Sequence, residues 1–316
     1  MKKSQSKPLD ERYTVILFYK YTNIQDSQAV QTWQRSLCQK LNLTGRIRLA
    51  TEGINATLEG LQADIATYIE EMKKTDLADF KNIDIKTSIG SGEAFNKLSV
   101  KIHPEIVVFG LKNDIDPNQI TGIHLKPEEL KKMYDNNEDF VVIDMRNDYE
   151  YRVGHFKDSI HPNIRNFREV DEVLPKILAE NPGIENKKVI TVCTGGVRCE
   201  KASGYLLTKG FKDVYQLDGG MHKYMEQFPG EDFKGGLFTF DNRVVMDFTK
   251  DREIVGVCDL CNAKTERFDN CINDECHVHM LVCQECRAAN PYVWCSDKCK
   301  LEGRLGLVRF NTMGIY

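Results

Sequence analysis

No stretch of this 316-residue chain comes near the roughly 18 consecutive apolar residues that a membrane-spanning helix needs, so a helical membrane protein is excluded. The opening residues, MKKSQSKPLDERY, carry basic side chains but no apolar core of a signal peptide, and the expected location is the cytoplasm. Neither sign of charge is in large excess. With 43 Lys and Arg against 47 Asp and Glu, the formal net charge is -4. That rules out a broadly basic surface and makes DNA an unexpected partner, while leaving room for a local cationic patch. Cysteine outside the tail is scarce: of 11 cysteines, only Cys38, Cys193 and Cys199 lie before Cys258. The other eight form close pairs, which in a reducing compartment signal metal before disulfide. Hydrophobic residues make up 41% of the chain, enough for real cores, and the length fits about two or three domains.

The strongest chemical signal lies in residues 187–210, KKVITVCTGGVRCEKASGYLLTKG. A β-branched apolar run ends at Cys193, the loop Thr194-Gly195-Gly196-Val197-Arg198 follows, and a helical pattern starts near Cys199. Such a strand delivers a thiol to the mouth of a loop, and the next helix points its N-terminus back at it. Helix-end N–H groups and a nearby cation lower a cysteine pKa from about 8.5 into the range of roughly 3.5 to 7.5. Paired glycines let successive amides converge on one anion. An inert core thiol would need neither Gly-Gly, nor Arg198, nor the helix start. Cys193 is therefore the expected nucleophile, with Thr194, Gly195, Gly196 and Val197 as the substrate-facing loop and Arg198 as the cation beside it.

Residues 1–126 begin with a polar tail and TVILFYKYTNI, an aromatic and β-branched run that reads as a buried strand. Asp26 and Ser27 offer caps for SQAVQTWQRSLCQKLNL, in which Val30, Trp33, Leu37 and Leu41 recur at helical spacing. RIRLATEGINATLEG reads as strand, bend and strand, LQADIATYIEEMKK as a helix, and FKNIDIKTS and AFNKLSVKI as one or two further strands. The order β-α-β-β-α-β is the ferredoxin-like α+β arrangement, here expected to carry an extra hairpin. Cys38 falls inside the first helix as core filling. At the bend, Glu52 and Asn55 are candidate contacts to a bound nucleotide, with Arg46, Arg48, Lys97 and Lys101 for its phosphates. Alternating cations along strands also describe a merely solvated face.

A turn-rich connector, KNDIDPNQITGIHLKP, leads into residues 127–230, where strands alternate with helices as in a parallel α/β sheet. Ligand chemistry then belongs at the strands' carboxyl ends, where Cys193 lies. Residues 231–316 open with a hairpin pattern, GGLFTFDNRVVMDF, followed by Cys258-x2-Cys261, Cys271-x4-Cys276, Cys283-x2-Cys286 and Cys295-x3-Cys299. Eight thiols in four pairs suffice for two closed, structural zinc sites. The pairs can be divided between two sites in three ways; the spacing and Trp294-Cys295-Ser296 lean to the interleaved division, first with third and second with fourth. His277 and His279 adjoin Cys276 and are expected to be bystanders.

Asp144-Met145-Arg146, Gly154-His155, the Cys193–Arg198 loop and Leu217-Asp218-Gly219-Gly220 together resemble a rhodanese domain. Phe156-Lys157-Asp158 departs from the Pro-Gly turn of many rhodaneses, and His155 is expected to be structural. Cysteine phosphatases have five residues between cysteine and arginine; the four here suit a sulfur atom better than a phosphate. GRIRLATEGINATLEG, CTGGVRCEKAS and the cysteine-rich tail, taken together, resemble the oxygen-dependent tRNA uridine(34) hydroxylases over nearly the full length. The resemblance implies a tRNA-modifying oxidoreductase that converts the wobble uridine to 5-hydroxyuridine with molecular oxygen as co-substrate and Cys193 essential. Chemically, a thiolate can add to the electrophilic C6 of uracil and leave an oxygen-reactive enolate at C5, with Cys193 acting either as the thiolate itself or as a persulfide. Arg198 and the loop amides would steady the charges, and Cys199 would either resolve an oxidised Cys193 as a disulfide or merely pack at the helix start. The alternatives are a rhodanese-type sulfurtransferase or persulfide carrier, and a binding module whose loop is catalytically idle.

Overall fold

In the computed structural model, which describes residues 8–276 and 278–306, the N-terminal unit runs β1 (Asp10–Tyr21), α1 (Ser27–Lys40), β2 (Thr44–Ala50), β3 (Gly53–Leu61), α2 (Gln62–Lys74), β4 (Ile85–Gly90) and β5 (Leu98–Ile102). The Asp26 carboxylate accepts from the N–H groups of Gln28 and Ala29 at 3.0 and 2.9 Å and so fixes the start of α1. Sheet order is β4-β1-β3-β2-β5. The first four strands have the ferredoxin-like order, and β5 joins parallel to β2. The expected extra hairpin does not form, because the chain after β4 is held elsewhere. The Glu59 carboxylate takes the N–H groups of Ser91, Gly92 and Ala94 at 2.7–2.9 Å and steers the chain to the opposite edge. The period of two then sorts the side chains. Ile16, Phe18, Ile47, Leu49, Leu58 and Val100 pack against α1 and α2, whereas Leu17, Tyr19, Arg46, Arg48, Asn55 and Lys101 project from the other face.

The central unit holds a parallel sheet in the order β6-β10-β9-β7, formed by β6 (Ile123–Leu125), β7 (Phe140–Asp144), β9 (Lys188–Val192) and β10 (Asp213–Leu217). Its buried strands read as continuous apolar runs because helices cover both faces. On one side, Val142, Ile190, Val192 and Leu217 meet α3 (Pro127–Asp135) and α7 (Gly220–Gln227). On the other, Ile143, Val189 and Val214 meet α5 (Val170–Glu180) and α6 (Val197–Thr208). Strand β6 precedes residue 127, so the end of the connector is itself an edge strand of this sheet. Arg146 is fully buried, paired to Asp144 at 2.7 Å and donating to the Gly154 carbonyl at 2.6 Å, which pins the loop after β7. That loop carries the short helix α4 (Asp148–Tyr151) and β8 (Gly154–Phe156). His155 hydrogen-bonds the Tyr151 carbonyl at 2.9 Å and stacks on its ring, a structural arrangement.

The tail is tied to the central unit by β11 (Phe233–Gly235), antiparallel to β8. The expected hairpin is present as β12 (Leu237–Phe238) and β13 (Val245–Met246), followed by β14 (Phe268–Asn270), β15 (His279–Leu281), α8 (Gln284–Ala289) and α9 (Asp297–Arg304). Among the described residues no helix is long and apolar enough to cross a membrane.

Candidate active site and metal centres

Cys193 follows β9 directly, and the loop turns back over it into α6, which starts at Val197, two residues earlier than its expected start. The Gly196 N–H donates to Cys193 Sγ at 3.2 Å, and the amides of Arg198 and Cys199 also reach the sulfur. Gly196 has a φ of +105° and lies so close to Tyr19 of β1 that a Cβ would meet its hydroxyl at 2.7 Å. The amides can point inward because the carbonyls are taken up behind. Met221 N–H holds the Cys193 carbonyl at 2.9 Å and His222 N–H the Thr194 carbonyl at 3.1 Å. At the head of α7, Gly220 (φ +67°) is obligatory, since a Cβ there would lie 2.7 Å from both carbonyl oxygens.

Burial alone would push the Cys193 thiol up. The Cys199 S–H, the Arg198 cation and the amides of Arg198 and Cys199 outweigh it and bring the pKa down to about 5. Cys199, buried beneath, is pushed well above the ordinary thiol range by burial and by the charge of Cys193. One sulfur is thus a thiolate and its neighbour the proton donor that steadies it. Arg198 is buried and grips Glu150 of α4 with two hydrogen bonds of 2.6 and 2.8 Å, and reaches Thr194 Oγ1 at 3.3 Å. Burial works against its charge, but the Glu150 carboxylate prevails and Arg198 stays a cation.

The next two residues of α6 fasten the N-terminal unit. Glu200 accepts from Tyr19 Oη at 3.0 Å, Thr121 Oγ1 at 2.9 Å and Gln216 Nε2 at 2.9 Å, and bonds His124 Nε2 at 3.1 Å. Lys201, fully buried, binds Glu52, Glu105 and Asp114 at 2.7–2.8 Å. With the two units clamped this way, the free face of the N-terminal sheet becomes the roof of a cavity of about 500 Å³ whose floor includes Cys193, Thr194, Gly195, Val197 and Arg198. Among the described residues seven cations line it, Arg46, Arg48, Lys86, Lys101, Arg168, Arg198 and Arg243, and Asp241 is the single acidic lining residue. Phe240, in the turn of the β12–β13 hairpin, is 44% exposed at its edge. Arg46 donates to the Phe240 carbonyl, and Arg198 lies 5.9 Å from the ring centroid.

The eight tail cysteines converge in two groups, Cys258, Cys261, Cys283 and Cys286, and Cys271, Cys276, Cys295 and Cys299. Within each group the sulfurs lie within 4.8 Å of one another, the first pair with the third and the second with the fourth. Four thiolates about 2.3 Å from one tetrahedral ion would be about 3.8 Å apart. The shortest sulfur contacts here are 3.3 to 3.6 Å, far longer than a disulfide. N–H groups support these sulfurs: Cys283 N–H donates to Cys258 Sγ at 3.3 Å and Cys286 N–H to Cys283 Sγ at 3.4 Å. The two groups can therefore hold metal ions. His279 belongs to neither and lies tilted against the Tyr149 ring at 4.6 Å; His277 lies outside the described residues.

Three family models match in series: a UPF0176 acylphosphatase-like domain over residues 13–106, a rhodanese-like domain over 126–227 and a "Rhodanase C-terminal" region over 234–300. A curated relative from Cytophaga hutchinsonii, named tRNA uridine(34) hydroxylase, is 40% identical over 91% of this chain and 90% of its own. The chain belongs to the tRNA uridine(34) hydroxylase family. Relatives of the same name from Arthrobacter sp. and Enterococcus faecalis are 39% and 41% identical, covering 90% and 87% of this chain and 98% and 86% of their own.

In this member of the tRNA uridine(34) hydroxylase family the expected site residues divide. Cys193, Thr194, Gly195, Val197 and Arg198 share the cavity floor, Gly196 serves through its amide, and Cys199 lies beneath the sulfur. Asn55 lines the roof, as do Arg46, Arg48 and Lys101. Lys97 lies outside the cavity lining, and Glu52 is turned to the domain junction, where Lys201 and the Ile106 N–H occupy its carboxylate. Arg198 is equally committed, so its bond to Glu150 makes it a support of loop and thiolate instead of a free donor for a substrate oxygen. Glu150 and Phe240 escape sequence reasoning. Glu150 carries no local signal beyond its place after a strand end, and Phe240 reads there only as part of a hairpin.

Proposed function

We propose that this chain hydroxylates C5 of the wobble uridine of tRNA, with the Cys193 thiolate as nucleophile and dioxygen as co-substrate. The observation that carries the reading is a thiolate-stabilising loop at the floor of a cation-lined cavity large enough for a nucleotide. In the reaction, Cys193 Sγ bonds to uracil C6, and the C5=C6 electron pair moves into an enolate through C4. C5 takes up dioxygen to give a C5 hydroperoxide. A thiol reductant supplies two electrons and the protons that convert the O–O bond to a C5 hydroxyl and water. Loss of the C5 proton with expulsion of the Cys193 thiolate restores C5=C6. Cys199, which interacts with the Cys193 sulfur, would capture an oxidised Cys193 as a disulfide, which the same reductant reopens. The exposed ring of Phe240 offers a stacking face for the base. Both four-cysteine groups hold structural zinc, which takes no part in these steps. The chain would act where tRNA is, in the cytoplasm.

Purified protein, unmodified tRNA, oxygen and a thiol reductant should add the mass of one oxygen at the wobble uridine, and Cys193→Ser should abolish it. Transfer of sulfur from thiosulfate to an acceptor, with tRNA left unchanged, would instead make the chain a sulfurtransferase.

A further inference from the structure

We propose that Arg48, Lys101, His103 and Arg168 form a phosphate subsite on the cavity roof that holds the RNA backbone beside the target nucleotide. The identity of the RNA rests on the reading above; the subsite rests on its own observations. Arg48 and Lys101 are direct partners in the parallel pairing of β2 with β5, so both side chains leave the sheet on the same side, away from α1 and α2. His103 follows at the end of β5, and Arg168 approaches from the central unit across the cavity. Three cations and an imidazole from two domains thus line the space that also contains Cys193.

Other cations of the same wall are neutralised within the protein: Arg198 by Glu150, Arg243 by Asp241 and Lys86 by Asp84. Arg48, Lys101 and Arg168 have no such carboxylate among the described residues. The nearby Glu105 is occupied by Lys201 and by the N–H groups of Phe109 and Gly110. Arg48 Nε is buried with no acceptor, a donor whose desolvation is left uncompensated. Burial and the charges of Arg48 and Lys101 hold His103 below the usual imidazole range. Like charges gathered around an unfilled donor destabilise the empty protein and are relieved by a ligand with several anionic oxygens, which a phosphodiester supplies. Because the same cavity contains the thiolate, a phosphate on the roof leaves its nucleotide within reach of the floor.

The test is the salt dependence of unmodified tRNA binding for wild type, Arg48→Gln and Lys101→Gln, alongside hydroxylation and the rate of Cys193 alkylation by iodoacetamide. Each substitution should weaken binding about tenfold and reduce the slope of log K against log salt by about 0.7, the value for one single-strand phosphate contact. Alkylation at the wild-type rate shows that the loop is intact. Unchanged slopes in both variants, with hydroxylation normal, overturn the subsite and leave the activity standing. Reduced slopes without hydroxylation by the wild type support the subsite and overturn the activity. Inorganic phosphate that binds at millimolar concentration while both RNA slopes stay at the wild-type value overturns the subsite in favour of a small-anion site.

Discussion

Replacing Cys199 by alanine removes the S–H that donates to Cys193, the largest of the effects that keep the thiolate charged against burial. Alkylation by iodoacetamide reads this directly, since only the thiolate reacts. In the native protein the rate should be flat above about pH 6 and fall to half near pH 5. In Cys199→Ala the midpoint should move up by a unit or more, about 1.4 kcal/mol of lost stabilisation. An unmoved midpoint would leave Cys199 only a packing role. The sign also sets a stability trend. The folded pKa lies below the free-thiol value of about 8.5, so the stabilisation is complete above that pH and is lost as pH falls through about 5. A reactive thiol at Cys193 was legible in the sequence, because strand, glycine pair and helix start are neighbours along the chain; the Cys199 S–H as its support was not. The Glu150–Arg198 pair was not, because its partners are 48 residues apart and meet only when α4 docks on the loop.

At the scale of elements, the β12–β13 hairpin holds an exposed phenylalanine at the edge of a cavity that is otherwise cationic. Phe238 packs edge-on behind Phe240 at 5.2 Å, and the Thr239 N–H binds the Val244 carbonyl at 2.8 Å, so the ring is presented on a braced turn. Stacking of a base on such a ring is worth about 1–3 kcal/mol. Phe240→Ala should therefore weaken tRNA binding about tenfold, with Phe240→Tyr restoring it. If the stacked base is the target uridine, tRNA made abasic at the wobble position should bind wild type and Phe240→Ala equally well, as a double-mutant cycle requires. A penalty that persists with the abasic tRNA places the ring against another part of the RNA. The hairpin was legible from its alternation and turn residues, but its contact with the Arg46 strand, nearly 200 residues upstream, was not. The same limit applies to the roof. Alternation in Arg46-Ile47-Arg48-Leu49 marks one face as polar but carries no information about what covers it.

Across the whole molecule, three units converge on one thiol, and the cysteine-rich tail contributes from a distance. Phe268 and Leu281, next to the first cysteine group, form a cluster with Phe238 and Val153, while Tyr149 of α4 meets Phe238, Phe268 and His279. Arg152 pairs with Asp259 at 2.5 Å across the same junction. Metal binding at four-cysteine sites is itself folding free energy, on the order of 10 kcal/mol for zinc-finger peptides. Beyond that apolar junction, small strands such as β14 and β15 have little else to hold them. Chelation should therefore make residues 258–300 sensitive to protease and free the backing of Phe240. Binding of tRNA and its hydroxylation should fall together, while the Cys193 alkylation rate is retained, because β1 and α7 hold that loop without the tail. Added zinc should reverse all three changes. A tail that stays protease-resistant after its metal has been removed would show that the apolar junction alone holds it, and would take the metal out of the path to the active site.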